Sequence, residues 1–279
     1  MSNSDMVKNP VGSRDVSPLH LDVGVKPVQY LSLGPGSPKQ INGEVVDEAL
    51  VCISVNGEEL VTFMCSPNDL KEMAAGFLYN EEIIDNLEDI RSIHISKQNS
   101  CVDVWLRQED KRLPQGKIIT AGCGGGVTFD DLSAHHDPLI SDMTATSEEL
   151  AALMRQMHMG AKLYHRARGI HTAALGNELT LTIQVEDVGR HNCLDKLAGV
   201  ALLSDIQTQN RILLSSGRIS SEMINKARRL KTPIICSRTS PTSLSVALAE
   251  RWNLTIVAYL RKDRMRVYTH HERLTDLPA

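Results

Sequence analysis

Cys123 has the surroundings that most favour chemistry: it stands in Ala121-Gly122-Cys123-Gly124-Gly125-Gly126, one thiol among four glycines. Glycine puts no side chain in the way and accepts backbone angles that other residues resist, so a sulfur there is open to approach from several directions. Read alone, the stretch fits either a loop that swings a sulfur between partners or a connection that happens to hold a cysteine. A second set of chemical residues collects where strand-like apolar runs end. These junctions are Glu186-Asp187-Val188-Gly189-Arg190-His191-Asn192, Ser215-Ser216-Gly217-Arg218 followed by Ser220 and Ser221, Ser237-Arg238-Thr239-Ser240, and Arg261-Lys262-Asp263-Arg264. Free backbone N–H groups at a helix start, with Ser, Thr and Arg donors beside them, suit phosphate oxygens. Four such junctions in succession favour an anionic, nucleotide-like ligand over helix capping alone. None of them is a G-x-x-x-x-G-K-[ST] loop or a strand-following G-x-G-x-x-G. His158 and His165 lie seven residues apart on a helical stretch and read as solvated or packed histidines; no metal site is expected.

The elements that must position these residues fall into two units. Gly43 to Cys65 reads as a hairpin about Asn56-Gly57, with Val51, Ile53 and Val55 alternating. Ser66-Pro67-Asn68-Asp69 reads as a helix start capped by Ser66, and Leu70, Met73, Ala74, Phe77 and Leu78 give that helix one apolar face. Strands are expected at about 90–96 and 100–106. Thr146-Ser147-Glu148-Glu149 resembles a capping box, and strands at 169–175 and 179–185 are expected to turn at Gly176-Asn177. Beyond them, strands at 211–215, 233–237 and 254–260 alternate with helices. That alternation implies crossover connections and a mixed, largely parallel sheet with flanking helices. The fold class is thus α/β, with ligands expected at the carboxyl ends of the strands. The expected organisation is a disordered tail over 1–40, a small α+β domain over 41–120, the Gly-rich Cys loop and linker over 121–145, and an α/β cofactor-binding domain over 146–279.

A chain of 279 residues supports a proper core in each unit. Its net charge of −4 argues against general affinity for nucleic acid or anionic membranes. No apolar run approaches the roughly 18 residues a membrane span requires, and the polar N-terminus has no signal-like pattern, so a cytoplasmic location is expected. The six cysteines, Cys52, Cys65, Cys101, Cys123, Cys193 and Cys236, show no C-x-x-C spacing. They do not read as a disulfide framework, and most of them lie in apolar surroundings that suit buried small hydrophobes.

The run from Glu186 to Leu197 resembles the hallmark stretch of the FdhD family of formate dehydrogenase accessory sulfurtransferases. The similarity continues through Gly169 to Leu175, Ser215 to Ser220, Ser240 to Leu244 and Val267 to His270, and spans about 45–274. The resemblance implies a cytoplasmic sulfur carrier, usually homodimeric, with a larger domain like that of cytidine deaminases. Such a carrier receives sulfane sulfur from a cysteine desulfurase and passes it to the molybdenum or tungsten bis(molybdopterin guanine dinucleotide) cofactor destined for formate dehydrogenase. The family's persulfide-forming cysteine falls on Cys123, and its cofactor-binding segment on Tyr259-Leu260-Arg261-Lys262-Asp263-Arg264. GDP-like nucleotides are expected to mimic the cofactor. Many members carry C-x-x-C in the loop, whereas Gly126 occupies the second position here; a single thiol still suffices to accept and release sulfur.

On this reading Cys123 is the catalytic residue, and His171, Arg190 and His191 are candidates to favour its thiolate. Arg218, Arg238, Arg261 and Arg264 are phosphate candidates, with Ser216 beside them. Glu186 and Asp187 suit either structural capping or ligand contact. A deaminase-type zinc hydrolase would need a P-C-x-x-C segment, which is absent. The remaining alternative is a non-catalytic, cofactor-binding chaperone for formate dehydrogenase maturation.

Overall fold

The computed structural model describes residues 24–96, 100–108, 111, 113–114, 136–262 and 264–277, together with the backbone at 118–119 and 127–128. The chain opens with an antiparallel hairpin of β1 (Val25–Ser32) and β2 (Lys39–Val46). This corrects the expected tail over 24–40: Gly34-Pro35-Gly36-Ser37-Pro38, which suggested irregular chain, is the connection between paired strands. The hairpin is tied back by Arg166, which donates to the Glu44 carboxylate from Nε at 2.8 Å.

A four-stranded sheet follows, in the order β4 (Glu58–Cys65), β3 (Ala49–Val55), β6 (Cys101–Leu106), β5 (Ile90–Ile95). Asn56 and Gly57 turn the β3–β4 hairpin with φ of 51° and 88°, as that turn type requires. Val51, Ile53, Val55, Val102, Val104 and Leu106 form its buried face and pack against α1 (Leu70–Asn80). Ser66 is not the cap of α1. Its N–H donates to Asp187 at 3.0 Å and its Oγ accepts from Val188 N at 3.2 Å, because a fully buried carboxylate elsewhere claims it. Asp69 takes the cap position instead, in the left-handed conformation.

Cys52 and Cys101 are register partners on the parallel pair β3–β6 and form a disulfide with a Cα–Cα distance of 4.4 Å. This corrects the reading of these two as buried thiols. A pairing between residues 49 positions apart is set by strand register, which local pattern does not reveal. Cys65, Cys193 and Cys236 are buried free cysteines, as expected.

After the two-residue strands β7 (Ile118–Ile119) and β8 (Val127–Thr128) come α2 (Ser147–Gly160) and α3 (Lys162–Ala167). α2 carries the expected capping box, with Thr146 and Glu149 bonding reciprocally. A six-stranded sheet then runs in the order β10 (Thr180–Asp187), β9 (His171–Asn177), β11 (Ile212–Ser215), β12 (Ile234–Ser237), β13 (Thr255–Arg261), β14 (Arg264–Val267). The sheet is mixed. Only β11–β12 and β12–β13 are parallel, each through a crossover helix, while β9 and β10 form a hairpin and β14 returns antiparallel. The β9–β10 turn falls at Glu178, φ 47°, and not at Gly176-Asn177; a Cβ on Gly176 would meet Thr180 O at 2.7 Å, so this glycine serves close packing.

Alternate residues of the central strands face opposite layers. Leu213, Ile235 and Ile256 pack under α4 (Arg190–Leu203), α5 (Ser221–Arg229) and α6 (Ser243–Arg251), while Leu214, Cys236 and Val257 pack under α2. α4 is buried between this sheet and α1, and the two helices touch backbone to backbone. A Cβ on Gly76 would lie 1.8 Å from Asp195 O, and one on Gly199 1.7 Å from Glu72 O. Beside this crossing Lys226 Nζ sits 2.5 Å from the Asp195 carboxylate, which also accepts from Asn80 Nδ2 at 2.8 Å. One buried ion pair thus links α1, α4 and α5.

Candidate functional site at the strand ends

The C-terminal ends of β10 to β13 and the start of β9 meet along one edge of the six-stranded sheet, because β9 runs antiparallel to β11 with Ser215 opposite Ala173. Hydrogen bonds stitch that edge together. Thr172 N donates to Ser216 Oγ at 3.0 Å, Arg238 N to Ser215 O at 3.4 Å, and Tyr259 N to Thr239 O at 3.0 Å. Ser237 Oγ donates to Gly217 O at 2.5 Å and accepts from Thr239 N at 3.0 Å. The serines and threonines that read as ligand donors are therefore largely spent on shaping the edge.

His171 Nδ1 lies 3.0 Å from Ser216 Oγ, and burial and then the nearby Arg190 guanidinium hold the imidazole below its usual range. Arg190 is buried at the start of α4, its stem against Gly217, where a Cβ would come within 2.8 Å of it. His191, also buried, places Nε2 3.0 Å from Ser220 Oγ and 3.4 Å from Glu222. Since Ser220 donates to Glu222 at 2.5 Å, its oxygen accepts from His191. Burial works to raise the Glu222 carboxyl, but hydrogen bonds from His191 and Ser220 outweigh it and pull it to about 2. Burial lowers His191 despite that partner. Glu222 went unnoticed in the sequence; its only local signal is its place in the first turn of α5, two residues after Ser220.

Arg238 donates toward His158 Nδ1 at 3.1 Å on the α2 side of the edge, while Arg218, Arg261, Lys262 and Arg264 are exposed. No carboxylate among the described residues pairs with Arg218, Arg238, Arg261 or Arg264, so among those residues the edge presents guanidinium groups without an acidic partner. At the end of β13 a bulge puts Tyr259 in the left-handed region, φ 53°, with the Arg266 guanidinium 4.5 Å over its ring. The Leu260 side chain is buried in the core under α2, which leaves its backbone at the edge. Cys123, Gly126 and Asp263 lie outside the described residues.

The hallmark run is mostly architecture. The Glu186 carboxylate accepts from Leu163 N and Tyr164 N at 2.9 Å each, holding the start of α3. Asp187 accepts from Ser66 N, Gly189 N and Asn192 Nδ2 and pairs with Lys196 at 2.7 Å, which ties the start of α4 to the segment before α1. His165 Nε2 lies 2.7 Å from the His158 carbonyl, and no cluster of three or more His, Cys, Asp or Glu that could hold a metal is found among the described residues. Every described cysteine is quiet. Burial, with Asp187 adding, pushes the Cys65 thiol to about 12; burial raises Cys193 and Cys236 as well; and Cys52 and Cys101 are bonded to each other.

Fold and edge together define a mixed α/β protein with a cationic rim at its strand ends and no membrane-crossing helix among the described residues. The chain belongs to the FdhD/NarQ family, whose profile matches residues 46–275. It is 34% identical over 238 residues to the sulfur carrier protein FdhD of Staphylococcus aureus strain MRSA252, covering 84% of this chain and 90% of that one. It is 35% identical over 238 residues to the protein of the same name from Bacillus pumilus strain SAFR-032, covering 84% and 91%. A crystal structure assigned as a formate dehydrogenase accessory protein from Desulfotalea psychrophila superposes with a TM-score of 0.73 at 29% identity, covering 90% of this chain and 99% of that one.

Proposed function

We propose that this protein is a sulfur carrier in formate dehydrogenase maturation, with Cys123 as the working thiol. The observation that carries this is the state of the cysteines. Of six in the chain, three are buried with raised thiols and two are joined to each other in this structure, which supports assigning the carrier role to Cys123 in its glycine run. The names of its curated relatives point the same way. In the proposed reaction the Cys123 thiolate attacks the terminal sulfur of a desulfurase persulfide, the donor's S–S bond breaks, and the donor cysteine leaves as thiolate. The persulfide on Cys123 then meets its cargo, the molybdenum or tungsten bis-pterin guanine dinucleotide, at the cationic edge. Arg218, Arg238, Arg261 and Arg264 supply phosphate contacts there, suited to the cargo's guanine nucleotide ends. A homodimer working in the cytoplasm is part of this reading.

The test is mass spectrometry of peptides after incubation with a cysteine desulfurase and cysteine. Cys123 is expected to gain one sulfur that dithiothreitol removes. Cys123→Ala should abolish support of formate dehydrogenase while GDP binding persists. If the variant supports the dehydrogenase as well as the parent does, the protein is a cofactor chaperone and not a carrier.

A further inference from the structure

Cys52 and Cys101 sit where a second thiol chemistry is built in. β3 and β6 are neighbours in the four-stranded sheet, and their register sets the two cysteines directly opposite one another. Side chains alternate across a strand, so Val51, Ile53, Val102 and Val104 turn inward and are buried, while Cys52 and Cys101 lie on the opposite face and are both half-buried. The next register pair on that outer face is Ser54 and Asp103, whose side chains bond to each other; Asp103 Oδ1 stands 3.9 Å from the Cys101 sulfur. Access separates this pair from Cys65, Cys193 and Cys236, which are buried free thiols. The strands do not depend on the bond, since the backbone ladder from Cys52 to Val55 and the valine face hold them together. Both the dithiol and the disulfide therefore fit the same fold.

We propose that the reduced pair is a second sulfur-handling site, one that accepts a sulfane sulfur from a small-molecule or protein persulfide and discharges it as sulfide. One thiolate of the pair attacks the terminal sulfur of R–S–SH, and R–S⁻ leaves. The partner thiolate then attacks the protein sulfur of the new persulfide, the S–S bond to the terminal sulfur breaks, HS⁻ departs, and the Cys52–Cys101 disulfide closes. In sum, R–S–SH and two thiols give R–SH, H₂S and one disulfide: the sulfane sulfur is reduced by two electrons and the pair is oxidised by two. A dithiol reductant resets the site. The second step is intramolecular between residues the sheet already holds at bonding separation, which favours discharge over storage. The disulfide form neither accepts nor drains sulfur, so the state of this pair would set how much donor sulfur stays available to the carrier thiol.

The experiment uses the full chain carrying Cys123→Ala, reduced with dithiothreitol, desalted without oxygen and mixed with glutathione persulfide. The expected result is about one sulfide released per chain, together with a Cys52–Cys101 disulfide peptide. The same chain left oxidised should release none, a control that needs no further substitution. Adding Cys52→Ser or Cys101→Ser should stop release and leave a persulfide on the remaining cysteine. Release no greater than that from the Cys52→Ser/Cys101→Ser double variant, or disulfide formation without sulfide, would overturn the proposal. Because the assay contains neither Cys123 nor a desulfurase, its outcome is independent of the carrier role proposed for Cys123.

Discussion

At single positions, Arg218 tests the proposed phosphate contact and Leu260 tests packing. Arg218 is exposed at the edge without an ion-pair partner among the described residues, so Arg218→Ala should weaken GDP binding about tenfold, the loss of one charge-assisted phosphate contact, with little change in thermal midpoint. Leu260 is fully buried, and Leu260→Ala should cost about 2–4 kcal/mol of stability in urea titrations. Acid sensitivity also belongs to this scale. His171 and His191 are held below their ordinary 6.5, so the unfolded chain binds more protons and stability should fall as pH drops through 6.5. Glu222 is depressed from 4.5 to about 2, so its contribution is present above 4.5 and lost between 4.5 and 2. Unfolding midpoints measured from pH 7 to pH 3 should show both declines, and Glu222→Gln should remove the second.

At the scale of elements, the crossing of α1 and α4 is the least forgiving contact. Gly76→Ala would drive a methyl into the Asp195 carbonyl, and since backbone meets backbone neither helix yields without moving the other. A loss of at least about 3 kcal/mol is expected, read as a lowered urea midpoint or failure to accumulate as folded protein. The four-stranded sheet has a covalent tie between β3 and β6. Its disulfide closes a separation of 49 residues, for which the chain-entropy picture gives up to about 4 kcal/mol, so reduction should lower the midpoint while leaving the circular dichroism of the folded protein intact.

The whole molecule is a stack in which α1 and α4 couple the two sheets, and the strand-end edge lies at the start of α4. A ligand that binds this edge only in the folded chain stabilises everything connected to it; GDP at 100 times its Kd should add about 2.7 kcal/mol, visible as a raised thermal midpoint. The buried Lys226–Asp195 pair ties the same helices together. Lys226→Met would leave Asp195 charged beside Asn80 alone, and a cost of about 3–5 kcal/mol is expected in denaturant unfolding.

Local pattern was enough for the Asn56-Gly57 hairpin, the Thr146 capping box, the alternation of strands and helices after residue 211, and the gathering of arginines at strand ends. Each depends on neighbours in the chain, and neighbours are what a sequence displays. Partners distant in the chain were decided only in three dimensions. Asp187 drew Ser66 across 121 positions away from capping α1, register brought Cys52 to Cys101, and packing turned Leu260 inward beside half-buried Tyr259 and exposed Arg261. Buried polar groups must find donors and strands must find a register, and the fold alone supplies both.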